Sequence, residues 1–442
     1  MAYGRPAWIP TESNTLGWDL LAYAMLLVIP ALQFMEWKIG GRLFGSDVLL
    51  LLVFPVMVFV RGSRLLNRFP ATFIFLGFAW LGSQILTDVL REIPFQDYSR
   101  GWSKIALTIL HFCTLYLLIQ GRPKRMLFYA WGIAAGGVLR FFISPTRYAS
   151  TDGWKVGVGF SITLAVVLAT TVLTGRRLWV AVIFIFAAAA ANVGLGFRAL
   201  GGVCFATAVY LTTAALWKSN RRHPRAGWGR ILAIAAAMCL AGLAAMYLYG
   251  RAAEGGSLGD YARHKYQMQS SGEYGPFLGG RSEIVISSQA ILDSPFLGHG
   301  SWAKDTNYTA QYKSRMASLG YRVYIGEGED AQLIPSHSHL FGAWVEAGVL
   351  GAVFWAWILW LIIRCLASLY AEGGNVSQLI VFCAFMLAWD ILFSPYGAER
   401  RFITPFYVTV IITYLEMRGR TQLLMRGRPA YRRRTVLASM IP

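Results

Sequence analysis

Apolar runs close to 20 residues long recur from one end of the chain to the other, separated mostly by short polar segments. A run of that length is what a helix needs to cross the hydrocarbon core of a bilayer, where every backbone polar group must be satisfied within the segment. Twelve such spans are read, at 16–35, 46–60, 69–90, 105–120, 126–143, 156–174, 178–193, 199–217, 230–250, 338–364, 376–395 and 402–417. The pattern predicts an all-α polytopic membrane protein with about twelve transmembrane helices. One long polar segment interrupts it, between spans nine and ten. The chain thus divides into nine helices over 1–250, a loop domain over 251–335, three helices over 336–417 and a basic tail over 418–442.

The 251–335 loop is not a linker. It holds Tyr261, Tyr266, Tyr274, Trp302, Tyr308, Tyr312, Tyr321 and Tyr324 with nearly balanced charge, a mixture that folds rather than staying disordered. Residues 280–292 have apolar positions at helical spacing, and Asp293-Ser294-Pro295 ends that helix. Tyrosines and polar groups beside a membrane suit sugars, and equally an interfacial aromatic belt.

Composition agrees with the pattern. The chain has 442 residues, is 56% hydrophobic, and has a mean hydropathy of +0.48. Only 14% of residues are charged, against about 25% in soluble domains. The net charge of +19 would direct a soluble protein to nucleic acid. Here the basic residues gather in short loops, so no nucleic-acid partner is expected. The tail from Arg418 to Arg434 is expected to lie on anionic membrane lipids. Of the 41 Lys and Arg, 22 fall on one set of connections and 11 on the other, once the long loop is set aside. That asymmetry predicts both termini in the cytoplasm and the loop outside, in the periplasm of a Gram-negative cell. Residues Met1 to Pro10 lack the features of a removable signal peptide. The five cysteines all sit in apolar runs, as packing residues do.

Candidate chemistry gathers at the outer face. His337 and His339 lie where the long loop enters the tenth span, at a depth where an imidazole can exchange protons with water and still meet a lipid-borne substrate. On a helix already begun at His337, His339 would lie about 200° around, so only one of the two faces a site. Gly348 returns to within about 20° of His337 and leaves room for a substrate or a neighbouring helix. Glu346 would lie about 13 Å deeper, so it is expected to pair with a neighbouring span. Arg198 opens the eighth span among glycines, and Arg281 opens the loop helix. A helix N-terminus and an arginine fork together favour phosphate. With Arg140, Arg147 and Lys155 they could clamp a diphosphate on a polyprenyl carrier. Asp390, an intramembrane carboxylate, is expected to pair with Arg400 or Arg401. His337, His339, Glu327, Glu329 and Asp330 are residue types that bind metals. However, Asp-x-Asp and phosphate-loop motifs are both lacking, so no metal or cofactor is expected.

These residues resemble the O-antigen ligase and polymerase superfamily. The resemblance is carried by His337-Ser-x-x-Phe341-x(4)-Glu346-x-Gly348-x-x-Gly351, by Gly280-Arg281-Ser282-Glu283-Ile284 followed by Asp293-Ser294-Pro295-Phe296-Leu297-Gly298-His299-Gly300, and by Phe197-Arg198-Ala199-x-Gly201 before a span. The motifs cover about a tenth of the chain. Two positions depart from the family. Residue 197 is Phe where Ser is usual, and His339 replaces a common apolar residue. The distance to Glu346 and Gly348 selects His337 as the acting histidine.

The resemblance implies a ligase that moves a glycan from undecaprenyl diphosphate to a hydroxyl of lipid A–core oligosaccharide. His337 would be the base, and Arg198, Arg281, Arg140 and Arg147 would hold the diphosphate. His339, Glu346, Gly348 and Asp390 would support the site. Direct displacement would invert the anomeric carbon, because no carboxylate nucleophile stands out. An O-antigen polymerase or a protein O-glycosylation ligase would use the same donor. The short basic tail counts against the second. A lipid or solute transporter is the alternative of another class, and Asp88 and Asp390 are the main polar groups it could use.

Overall fold

The structure is a computed structural model. It describes residues 15–38, 41–119, 121–146, 149, 152–173, 178–218, 236, 242–244, 246–275, 280–321, 331–372 and 377–426. The protein is an all-α membrane protein. Seven of its described helical segments are long and apolar enough to cross a bilayer, and three more are apolar but shorter.

Helix α1 (Thr15–Ala31) leads through one turn of 3-10 helix into a small hairpin, β1 (Glu36–Lys38) against β2 (Arg42–Phe44), with Trp37 opposite Leu43. Helices α2 (Gly45–Arg61), α3 (Arg68–Leu90), α4 (Phe95–Ile119) and α5 (Pro123–Ile143) follow. A π-helical segment, Gly153–Val158, opens α6 (Gly159–Leu173). Helices α7 (Leu178–Gly194) and α8 (Arg198–Lys218) are antiparallel neighbours joined by a three-residue turn. Most of the ninth span lies outside the described residues, although 246–254 are helical.

The long polar loop contributes α9 (Asp260–Ser270), α10 (Glu283–Asp293) and α11 (Thr306–Ser318). The chain returns through α12 (His339–Ala347), α13 (Val349–Glu372), α14 (Gln378–Phe393) and α15 (Arg400–Arg426).

Helices α4 and α15 form the centre of the bundle. Ile105, Phe112, Leu115 and Leu117 of α4 are buried, as are Phe402, Phe406, Tyr407 and Val410 of α15. Helix α2 lies at the periphery, with Phe59 93% exposed, as a lipid-facing residue would be. In lipid, helices associate through close backbone approach. Gly132 and Gly136 of α5, four residues apart, provide it. A Cβ at Gly132 would lie 2.3 Å from the Leu27 carbonyl oxygen of α1, and one at Gly136 would lie 2.5 Å from that of Pro30.

The loop folds around a core of its own. Ile286 and Ala290 of α10 pack with Tyr308, Tyr312 and Met316 of α11, with Ile334, and with Val345 of α12.

The element ends correct the sequence reading in three places. Helix α4 begins at Phe95, ten residues before the apolar run, because its polar first turns pack against the long loop, where Asp97 binds Lys304 at 2.8 Å. Helix α15 continues to Arg426, beyond the apolar run ending at 417. The tenth span is two helices. Gly348, with φ +67°, ends α12, and α13 starts at once. A Cβ there would lie 2.0 Å from the Phe296 carbonyl oxygen, so the space beside Gly348 is filled by loop backbone.

Candidate functional site

A cavity of about 2140 Å³ runs between α7, α8, α14, residues 242–258 and the loop helices. Its wall along α8 extends from Arg198 to Val209, about 16 Å of helix. The deeper wall is apolar, with Phe186, Phe205 and Phe385. The outer wall is basic. Among the described residues it carries Lys155, Arg198, Lys265, Arg281, Arg315 and Arg400 against one carboxylate, Glu399. His337 lines the same cavity.

The positions of the arginines follow from local structure. Helix α7 closes with Gly196 at φ +83°, and the Phe197 N–H donates to the Asn192 carbonyl at 2.7 Å. This left-handed closure reverses the chain at once and makes Arg198 the first residue of α8. Arg198 donates to Gln269 Oε1 at 2.8 Å and stands 5.2 Å over the Tyr249 ring. Arg281 precedes α10, donates to its own Gly280 carbonyl at 2.9 Å, and stacks over Trp389 and Phe393. Burial pulls the Arg281 guanidinium below the usual arginine range; Glu283 offsets part of this and the charge of Arg198 adds to it. Burial does the same to the Lys265 ammonium, again reinforced by Arg198. Two basic groups lowered by burial and by the same neighbouring Arg198 charge form a region that gains from bound anion.

The two histidines separate. Ser338 caps α12, its Oγ accepting from Phe341 N–H at 3.1 Å. The helix therefore begins at His339, and His337 precedes it on the cavity side. The His337 side chain is 49% exposed, with Nδ1 3.7 Å from Glu283 Oε1. His339 is fully buried. Its Nδ1 is 2.6 Å from the Ser394 carbonyl, and its ring packs on Trp355 and Tyr396. A carbonyl oxygen only accepts, so Nδ1 of His339 carries the proton. Glu327, Glu329 and Asp330 lie outside the described residues.

Other expectations divide. Glu346 accepts from Lys104 Nζ of α4 at 2.6 Å, a neighbouring span as expected. Asp390, buried, accepts from Arg400 at 2.8 Å. Arg140 does not line the cavity. It is held by Glu36 at 3.1 Å and Glu399 at 3.4 Å, with Arg42 on the same two carboxylates. Arg147 lies outside the described residues. Arg401 binds Asp47 at 3.0 Å, and His111 Nε2 is 3.0 Å from the same carboxylate. Asp88 is absorbed by Ser301 and Trp102, which satisfy it as a structural anchor of the loop.

Lys265 and Arg315 were not singled out from the sequence, and Glu283 appeared there only within the Gly280–Ile284 motif, with no role of its own. Lys265 and Arg315 sit on short loop helices with no motif to mark them. Glu283 had a signal, its place two residues after Arg281.

No protein-family model matches the chain, and a search of curated proteins returns no match.

Proposed function

We propose that this chain is an O-antigen ligase: a glycosyltransferase that moves a glycan from undecaprenyl diphosphate to a hydroxyl of lipid A–core at the periplasmic face of the bacterial inner membrane. The observation that carries the reading is one cavity with a basic outer wall, an apolar deeper wall and an accessible imidazole. Those three features match a diphosphate, the first units of a polyprenyl chain, and the proton of an acceptor hydroxyl.

Arg198 and Arg281 hold the diphosphate oxygens and stabilise charge as the glycosyl bond breaks. The acceptor oxygen attacks the anomeric carbon while the diphosphate leaves with the bonding pair. His337 takes the hydroxyl proton. One displacement inverts the carbon, so a product with the donor's configuration would refute the single step. The charge asymmetry of the connections supports twelve spans with both termini in the cytoplasm.

The test is transfer in detergent with purified protein, polyprenyl-diphosphate-linked glycan and lipid A–core, in EDTA, beside His337→Ala. The reading expects glycosylated lipid A–core with the wild type and none with the variant. Glycan lengthening on the carrier instead would make the protein a polymerase. If neither lipid changes, the transferase reading fails and a transporter takes its place.

A further inference from the structure

His337 lines two adjoining spaces, the cavity and a niche of about 40 Å³ between the start of α10, the cap of α12 and the end of α14. The niche brings two other charged groups to the imidazole, Arg281 and Glu283. Helices α12 and α14 add only Ser338, Phe341, Leu392 and Phe393. The Arg281 guanidinium is engaged with the Gly280 carbonyl and the rings of α14. Ser287 and Ser338 bring hydroxyls, each already donating to a main-chain carbonyl, and Glu283 is the one carboxylate in the niche that can take the ring N–H as a charged acceptor. Its side chain is 25% exposed, and 3.7 Å separates its Oε1 from Nδ1. That is an ion-pair distance, longer than a hydrogen bond, and catalytic contacts commonly tighten when substrate binds. Among the described residues, no hydrogen-bond donor engages the Glu283 carboxylate. A carboxylate at a helix start also suits the dipole, but the dipole alone does not turn it toward an imidazole.

We infer that Glu283 is the positioning residue of His337: its carboxylate takes the Nδ1 proton as a hydrogen bond and leaves Nε2 to face the cavity as the proton acceptor. The inference rests on the transferase reading above. In the reaction, the acceptor oxygen bonds to the anomeric carbon and the bond from that carbon to the diphosphate oxygen breaks with its electron pair. The hydroxyl proton passes to Nε2. Glu283 then faces an imidazolium and stabilises it from the opposite side of the ring, while remaining a carboxylate itself.

The full chain carrying Glu283→Gln or Glu283→Asp tests this in two independent ways. Transfer kinetics should show kcat lower by about tenfold to a hundredfold in the Gln variant, with donor KM within about twofold and partial recovery in Asp. Labelling of His337 by diethyl pyrocarbonate, followed on its peptide by mass spectrometry, needs no transfer activity. Loss of the carboxylate leaves the ring less firmly held and its Nδ1 more open to reagent, so His337 labels faster in Glu283→Gln than in wild type. Unchanged labelling overturns the inference, as does a raised KM with unchanged kcat, which would make Glu283 a binding residue. If the Gln variant does not fold, the Asp variant should show the same pattern at smaller size. Faster labelling in a protein that transfers no glycan keeps the pair and rejects the proposed function.

Discussion

Arg401 and Arg281 stand at the same end of the bundle and meet their charge in opposite ways. Arg401 is buried and bound to the Asp47 carboxylate, with the Arg42 carbonyl as a second acceptor. Its neighbours follow suit: Arg42 and Arg140 on Glu36 and Glu399, and Arg400 on Asp390. Arg281 and Arg198 have only neutral acceptors, a carbonyl and an amide, among the described residues. The paired group has spent its charge on the fold, while the cavity group holds charge in reserve. A partly buried cation with no hydrogen-bonded anion is costly, so a site that maintains two of them in one cavity gains from an anion that arrives from outside.

The largest effect should come from the paired group. Arg401→Ala strands Asp47 beside His111 and should cost about 3–5 kcal/mol of stability, seen as a lower melting temperature in detergent. Were it to melt as wild type does while losing donor binding, the division between the two groups would collapse. Arg281→Gln should do the reverse, with transfer slowed by about a hundredfold to a thousandfold, as for one oxyanion donor, and melting nearly unchanged. Arg140→Gln sharpens the contrast. It should leave donor KM unchanged and shift stability by about 1 kcal/mol or less, because its two carboxylates keep Arg42. The smallest effect should be in pH. Burial and Arg198 hold the Lys265 ammonium below the usual lysine range, and a bound anion favours its charged form. Donor affinity should therefore fall as pH rises through that depressed value, and Lys265→Arg should move the fall to higher pH. An alkaline limb unmoved in Lys265→Arg would take Lys265 out of the anion site.

The helices were largely legible because bilayer thickness forces apolar runs of a set length. Their ends were less so. Helix α4 leaves the apolar run while still hydrogen-bonded, and only its loop partner Lys304 explains why. The break at Gly348 had one trace, a tenth span at 338–364 too long for a single crossing. Its cause, the backbone at Phe296, lies 52 residues earlier. Arg198 and Arg281 were marked by glycines and helix starts, which are local. Arg140 was read only as lying near the end of the fifth span, but it meets a glutamate 259 residues away, and no window of sequence carries that. The histidines were decidable: Ser338 is a good cap, and a cap at 338 places His337 outside the helix.

The break at Gly348 also constrains how this protein can be rebuilt. Where α12 stops, the Val345 and Glu346 carbonyls accept from His299 and Gly300 of the loop, and Ser83 of α3 takes the Ala347 carbonyl. The Trp344 indole reaches the Pro295 carbonyl. Loop and helix are thus laced largely through main-chain atoms, which any residue type can supply but no other path of the chain can. A chimera that exchanges residues 251–335 alone would cut through that lacing. One whose splice lies beyond Gly348 would carry loop, cap and histidine across as a single transplantable part.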